Sequence, residues 1–447
     1  MSEANVKPAQ AGGQSQVEVF RKRRERVLEQ IGEGVMVIAT APEAVRNRDA
    51  HYPYRFDSYF YHLTGFAEPE AVLVLVAGKS PQQILFCREK NEEREIWDGF
   101  RHGPAAARED FGFDAAHAIE ELDEVLPQLL ENQPALRYVI GRDLAWDERV
   151  LAWLNKVRGK ARSGVQAPET LIDARSLLDE LRLFKDDHEQ AMMRRAAEIS
   201  AAAHVAAMRA TRPGRSEHEI EAELLYEFRR QGAEAPAYTS IVAGGANACV
   251  LHYVFNNQPL KAGDLLLIDA GAEYRGYAAD ITRTFPVSGK FSGPQRDAYE
   301  IVLAAQAAAI AQVAPGRSWQ APHDAAVKVL TQGMVDLGLL QGEVDGLIES
   351  EAYKRFYMHR TGHWLGLDVH DAGEYKQGGE WRKLQPGMTL TVEPGLYIRS
   401  AEDVPEALWN IGIRIEDDAL VTESGCEILT HGVPKSVAEI EEVMRHD

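Results

Sequence analysis

Two aspartates, Asp269 and Asp280, flank a turn signal between apolar runs, and no other pattern in the 447-residue chain restricts its fold as tightly. Leu265 to Gly271 reads as a buried strand, Glu273 to Gly276 as a turn, and Tyr277 to Phe285 as the returning strand. With the hairpin pivoting between Tyr274 and Arg275, the two carboxylates face each other. Directly opposed side chains have Cβ atoms roughly 5 Å apart, where like charges repel unless a cation lies between them. A divalent metal ion accounts for the pair. Taken alone, so do two unrelated surface aspartates beside a turn.

Further polar residues come later, inside segments with little other reason to be polar. The run from His359 to Asp371 holds His359, His363, His370, Gly362 and Gly366, which is hard to explain as core packing. A lone histidine is more often a satisfied structural residue than a ligand. His359 and His363 have the spacing of a zinc-binding helix, but no glutamate follows the first histidine and Gly362 weakens a helix there. Met388 to Tyr397 reads as a strand ending on Glu393 before a Pro-Gly turn. In Ile411 to Asp418, alternation places Gly412, Arg414 and Glu416 on one face.

Three strings, HWLGLDVHD from His363, TVEPGLYI from Thr391 and GIRIEDD from Gly412, resemble the pita-bread metallopeptidases, closest to their Xaa-Pro aminopeptidase (aminopeptidase P) branch. The likeness extends to Tyr52–Leu75, similar to the family's N-terminal domain, and to Leu181–Ala196, similar to its interdomain helix. Arg360 departs from it, since many relatives carry glycine there. The resemblance implies that Asp269, Asp280, His363, Glu393 and Glu416 bind two divalent ions, with Asp280 and Glu416 bridging them. Four ionised carboxylates balance two divalent cations, and ligation rich in oxygen and free of thiolate favours manganese, with cobalt or zinc as alternatives. A water shared by the ions would attack the peptide carbonyl, with Glu393 passing the water's proton to the leaving nitrogen. His252, His359 and His370 would donate hydrogen bonds to that carbonyl, and Arg414 would orient Glu416 or bind a substrate carboxylate. The implied substrates are short peptides with proline second. Prolidase action on Xaa-Pro dipeptides is the alternative, ahead of a metal-free creatinase-like hydrolase and a non-catalytic pita-bread binding module.

The expected organisation is a disordered tail over residues 1–16, an α/β domain over 17–178, and an α+β pita-bread catalytic domain over 179–447. Asp186 with Glu189, and Ser216 with Glu219, mark capping boxes of two helices in the catalytic part. By resemblance the N-terminal domain assembles a homodimer or homotetramer and narrows the active-site mouth. Trp97 is a candidate to reach a neighbouring site, with Asp49 and Arg55 weaker ones; ordinary packing explains Trp97 as well. A formal charge of −20 argues against nucleic-acid and anionic-membrane partners. Cys87, Cys249 and Cys426 are odd in number and in no CxxC, as expected of reduced thiols in a cytoplasmic protein. The polar start lacks the apolar segment of a signal peptide.

Overall fold

The computed structural model describes residues 16–445, and the chain divides into two compact units between Leu181 and Arg182. The tail expected over residues 1–16 lies outside the described residues, except for Gln16, which opens the helix Gln16–Ile31. In the first unit one mixed sheet runs in the order Ala115–Ala118, Gln82–Cys87, Val72–Ala77, Gly34–Ala39, Ala135–Tyr138, Thr170–Asp173. Its central strands are covered on both faces, which is why they read as unbroken apolar runs. Met36 and Ile38 enter one core with Leu28 of the first helix, while Val35 and Val37 enter another with Trp153 of the helix Leu144–Arg158.

The second unit is α+β. Its helices Asp187–Ala210 and Glu217–Arg230 start where the capping signals place them: Asp186 Oδ1 accepts the Glu189 N–H at 3.0 Å, and the Ser216 N–H donates to Glu219 Oε2 at 2.7 Å. One antiparallel sheet joins Ile241–Gly244, Leu265–Asp269 and Thr282–Pro286; another joins Thr389–Val392, Asp417–Val421 and Cys426–Ile428. Ile268, Val392 and Ala419 from these sheets share one core with Leu224, Val302 and Leu330 from the helices. Cys87 and Cys249 are buried free thiols, and Cys426 is a partly buried one. No helix among the described residues is long and apolar enough to cross a membrane.

The aspartate hairpin differs from expectation by one residue. Asp269 pairs with Thr282 and Tyr274 with Tyr277, so the turn pivots between Arg275 and Gly276. Both have positive φ, 52° and 81°, the backbone of a two-residue type I′ turn, whose twist matches that of the flanking strands. The Arg275 N–H donates to Glu234 Oε2 at 2.8 Å, which helps a non-glycine residue hold this conformation. Asp280 is therefore diagonal to Asp269, on the same face but not directly opposite. At Gly271 a Cβ atom would fall 1.7 Å from the Ala279 carbonyl oxygen, so a side chain there would force the hairpin apart.

His204, fully buried on the helix Asp187–Ala210, clamps the end of the Asp269 strand through Nε2 and the Ala270 carbonyl, 2.9 Å apart. Burial lowers its pKa from 6.5 to about 4, so the folded protein holds it neutral. An unfolded histidine takes up its proton near 6.5, so stability present above that pH is lost as pH falls towards 4, by up to about 3 kcal/mol. His204→Gln keeps a donor for Ala270 and removes the titration; its urea-unfolding free energy is expected to fall less than that of the wild type between pH 7 and pH 5.

Candidate metal centre

Backbone pairing carries the later polar residues to the hairpin. Residues 361–365 lie antiparallel to 389–393: the Glu393 N–H donates to the Thr361 carbonyl at 2.9 Å, Thr391 to His363 at 3.0 Å and Leu365 to Thr389 at 3.1 Å. His363 thus stands on extended chain instead of a helix. Gly362 is required by this closeness, because a Cβ there would lie 2.1 Å from the Thr391 carbonyl oxygen. Glu393 follows directly on the strand Thr389–Val392.

Glu416 sits in the bend between the strands Ile411–Arg414 and Asp417–Val421, which belong to different sheets. Its N–H donates to the Thr282 carbonyl at 3.0 Å, and its carboxylate accepts the Thr282 hydroxyl at 2.6 Å. Glu416 and Arg414 line one cavity as strand alternation implies, but the strand ends at Arg414, and Arg414 bears on Glu416 through the Thr282 hydroxyl between them. The Arg414 guanidinium donates to Asp269 Oδ2 at 2.6 Å, the Tyr397 hydroxyl at 2.9 Å and Thr282 Oγ1 at 3.1 Å.

Asp280, His363 and Glu416 each offer an atom to a cluster in which all three lie within 4.8 Å of one another. His363 Nε2 is 3.4 Å from Asp280 Oδ2 and 3.7 Å from Glu393 Oε1. Burial, then Asp269, raises the Asp280 pKa well above the carboxylate range; burial, then Asp280, does the same to Glu416. Burial, then Glu416, pushes Glu393 up to about 8. The protein alone is short of positive charge at this point.

Two further observations favour divalent ions as the missing charge. His363 Nδ1 is 2.9 Å from the Trp364 carbonyl, which assigns the proton to Nδ1 and points the Nε2 lone pair at the carboxylates. The Tyr238 hydroxyl contacts both Asp269, at 2.6 Å, and Asp280, yet it has one hydrogen to give. A metal ion relieves both arrangements. Carboxylates with one imidazole and no thiolate suit a hard or borderline divalent ion, so the residues fit the group.

The nine residues expected from the sequence as metal ligands or substrate contacts line one cavity of about 840 Å³, while Trp97, Asp49 and Arg55 are not among its lining. The three accessory histidines differ in availability. His359 Nδ1 is 2.7 Å from the Arg360 carbonyl and Nε2 is 2.8 Å from the Tyr397 hydroxyl, so both nitrogens are already engaged and a donor role towards substrate does not fit it. Burial, then Arg414, lowers its pKa to about 3. His252 and His370 are exposed to the cavity, and His370 stacks edge-on against His363 at 4.3 Å between ring centroids. Tyr238, Thr282 and Tyr397 were not singled out from the sequence. Tyr397 lies inside the TVEPGLYI string, whereas nothing in the sequence around Tyr238 links it to a hairpin more than thirty residues on.

Comparisons with known proteins identify the family of the chain. The profile of metallopeptidase family M24 matches residues 191–423, and that of the aminopeptidase P N-terminal domain matches residues 20–138. The Xaa-Pro aminopeptidase of Haemophilus influenzae is 47% identical over 96% of this chain and 97% of its own. The structure of the aminopeptidase PepP of Pseudomonas aeruginosa superposes with a TM-score of 0.94 at 51% identity, covering 96% of this chain and 98% of that one. Zinc-substituted aminopeptidase P of Escherichia coli, solved in complex with product, gives a TM-score of 0.94 at 46% identity over 97% of this chain and 99% of its own. The chain therefore belongs to metallopeptidase family M24, with the pita-bread catalytic fold preceded by an aminopeptidase P N-terminal domain.

Proposed function

We propose that the protein is an Xaa-Pro aminopeptidase, a metal-dependent hydrolase that releases the N-terminal residue of peptides with proline in second place. The observation that carries the reading is the convergence of Asp269, Asp280, His363, Glu393 and Glu416 in one cavity of a chain 47% identical to a curated Xaa-Pro aminopeptidase. These five residues would hold two divalent ions, manganese in first place and cobalt or zinc as alternatives. Bound ions supply Lewis-acid polarisation of the scissile carbonyl and acidify the attacking water.

The chain's own residues do the rest. Glu393, set at the end of the strand Thr389–Val392 and 3.7 Å from His363, takes the water's proton and delivers it to the proline nitrogen as the bond breaks. His252 and His370 donate hydrogen bonds to the carbonyl oxygen and to the charge that develops on it. Asp269, anchored by Arg414, attracts the substrate's free amine. His359 and Tyr397 hold one another at the wall of the site. The nitrogen of an Xaa-Pro bond has no hydrogen, so a wall of rings such as Trp319 and Tyr375 accepts proline without needing an acceptor for it. Purified protein loaded with manganese is expected to cleave Ala-Pro-Ala after alanine. Activity confined to Ala-Pro would establish prolidase instead, and activity on neither would leave the binding-module reading.

The first unit would serve assembly and access. Ile96, Trp97 and Phe100 are 82%, 82% and 66% exposed, an apolar face that a second copy would cover in a homodimer or homotetramer acting in the cytoplasm. Arg55 is held by Ser58 at 3.1 Å, and Asp49 is exposed between the short strands Val45–Asn47 and Ala50–His51.

His252 depends on a support below the cavity. Glu217, wholly buried, accepts hydrogen bonds from the Gly244 and Gln258 N–H groups, Asn247 Nδ2 and the Tyr253 hydroxyl at 2.8 to 2.9 Å, and so shapes the loop that carries His252. In Glu217→Gln an amide NH₂ replaces one oxygen and faces donors. The expected result is a stability loss of about 3 kcal/mol with a fall in kcat, read from urea unfolding and tripeptide hydrolysis.

A further inference from the structure

The short hairpin at the cavity mouth has no part in the chemistry described above. Its strands Lys376–Gln377 and Glu380–Trp381 are joined through Gly378 and Gly379, both at positive φ, and Lys376 pairs directly with Trp381. Lys376 Nζ lies 4.4 Å from the centroid of the Trp381 ring, and Arg360 Cζ lies 4.7 Å from the same centroid. Arg360 is steadied by Gln320, whose side-chain oxygen accepts from it at 2.7 Å. Two exposed cations thus share one indole, and all three side chains line the cavity that holds the carboxylate cluster.

Neither cation is paired with a carboxylate among the described residues, whereas Arg414, the third cation of the lining, is tied to Asp269. Like charges held this close are relieved by an anion, and arginine offers a planar fork of donors suited to a carboxylate. A peptide has one charge of each sign at its ends. Its amine is attracted by the buried carboxylates and repelled by Arg360 and Lys376, so the polarity of the cavity orients it. An aminopeptidase leaves a single residue upstream of the scissile bond, so the remainder of the substrate must run towards the mouth. Arg360, Lys376 and Trp381 line the same cavity of about 840 Å³ as Glu393, and an extended peptide advances roughly 3.3 Å per residue. The cations are therefore within reach of the first residues beyond proline.

We infer that Arg360, Lys376 and Trp381 form a specificity subsite for a carboxylate just downstream of proline, favouring short peptides that end there or carry an acidic side chain there. The inference rests on the aminopeptidase reading, and the test separates the two. Three substrates are compared at low ionic strength: Ala-Pro-Ala, its C-terminal amide, and Ala-Pro-Asp amide. The wild type is expected to favour a carboxylate-bearing substrate over Ala-Pro-Ala amide about tenfold in kcat/KM, mainly through KM and with the advantage shrinking in 1 M salt. In the double variant Arg360→Gln, Lys376→Gln the ratio is expected to fall to within about twofold. The substrate that carries the advantage identifies the source, the α-carboxylate or the aspartate side chain. A wild type indifferent to the amide, or a double variant that keeps the wild-type ratio, overturns the subsite while leaving the aminopeptidase intact. A wild type that cleaves none of the three overturns the aminopeptidase reading itself.

Discussion

Asp280→Ala is expected to lower tripeptide hydrolysis by more than the roughly 100-fold that changes outside a ligand shell cost. The reason is geometric. Asp280 contributes to the cluster with His363 and Glu416, faces His363 at 3.4 Å and shares the Tyr238 hydroxyl with Asp269, so no neighbour can take its place. The same substitution has a second, opposite consequence. Asp280 is buried, and burial and Asp269 both work against its charge, so alanine removes repulsion from the metal-free protein. Metal-free Asp280→Ala should therefore melt no lower than the metal-free wild type, while gaining less from added manganese. Bound metal per chain, melting temperature with and without manganese, and kcat/KM check the account together. Activity within tenfold of the wild type, or an undiminished thermal gain on adding manganese, would sink it.

Arg283→Met is expected to cost about 3 to 5 kcal/mol, the usual penalty for breaking a buried ion pair from one side. Arg283 and Asp417 are both wholly buried and meet at 2.7 Å. The guanidinium also donates to the carbonyls of Thr282 at 3.0 Å, Glu416 at 2.5 Å, Val433 at 3.2 Å and Pro434 at 3.1 Å. Asp417 in turn accepts from Lys435 at 2.7 Å, Thr430 at 2.8 Å and Gln306 at 3.0 Å. Burial opposes the Asp417 charge, but Arg283 and Lys435 overcome it and hold the carboxyl below its ordinary range. This pair joins the strand Thr282–Pro286 to the strand Asp417–Val421, the elements that follow Asp280 and Glu416. Losing it should loosen the metal centre as well as the fold. In Arg283→Met, Asp417→Leu no buried charge is left half-compensated and the part-exposed Lys435 can turn to solvent, so the double variant should be more stable than the single one in urea titrations. A single-variant loss under about 1 kcal/mol would contradict the ledger of this pair.

Much of the site could be read from the sequence, because the strings that hold it resemble those of a known family, while residue chemistry alone left the aspartate pair and the histidines open. Asp269, Asp280, His363, Glu393 and Glu416 stand in strings whose strands, turns and glycines are local matters, and the two capping boxes begin their helices at Asp186 and Ser216 as expected. Tyr238 was not legible. Its link to the aspartates runs through space between segments with no shared motif. Glu217 was recognisable only as the first residue of a helix, and its four donors come from a loop whose path depends on the packed core.

The sequence by itself determined which groups this protein has for chemistry and the periods of its strands and helices. Only the tertiary structure decided which atoms face one another. The turn took Arg275 and Gly276 because two adjacent positive-φ residues match the strand twist, and that shift of one residue set the two aspartates diagonally. Arg414 paired with Asp269 and met Glu416 only through Thr282, because its strand ended and the chain entered another sheet. His359 was claimed by Tyr397, and Arg360 and Lys376 were brought to one indole, by contacts between segments distant in the chain. Local preferences act over a few residues, whereas the pairing of charges is settled by whichever partners the packed core brings within hydrogen-bond reach.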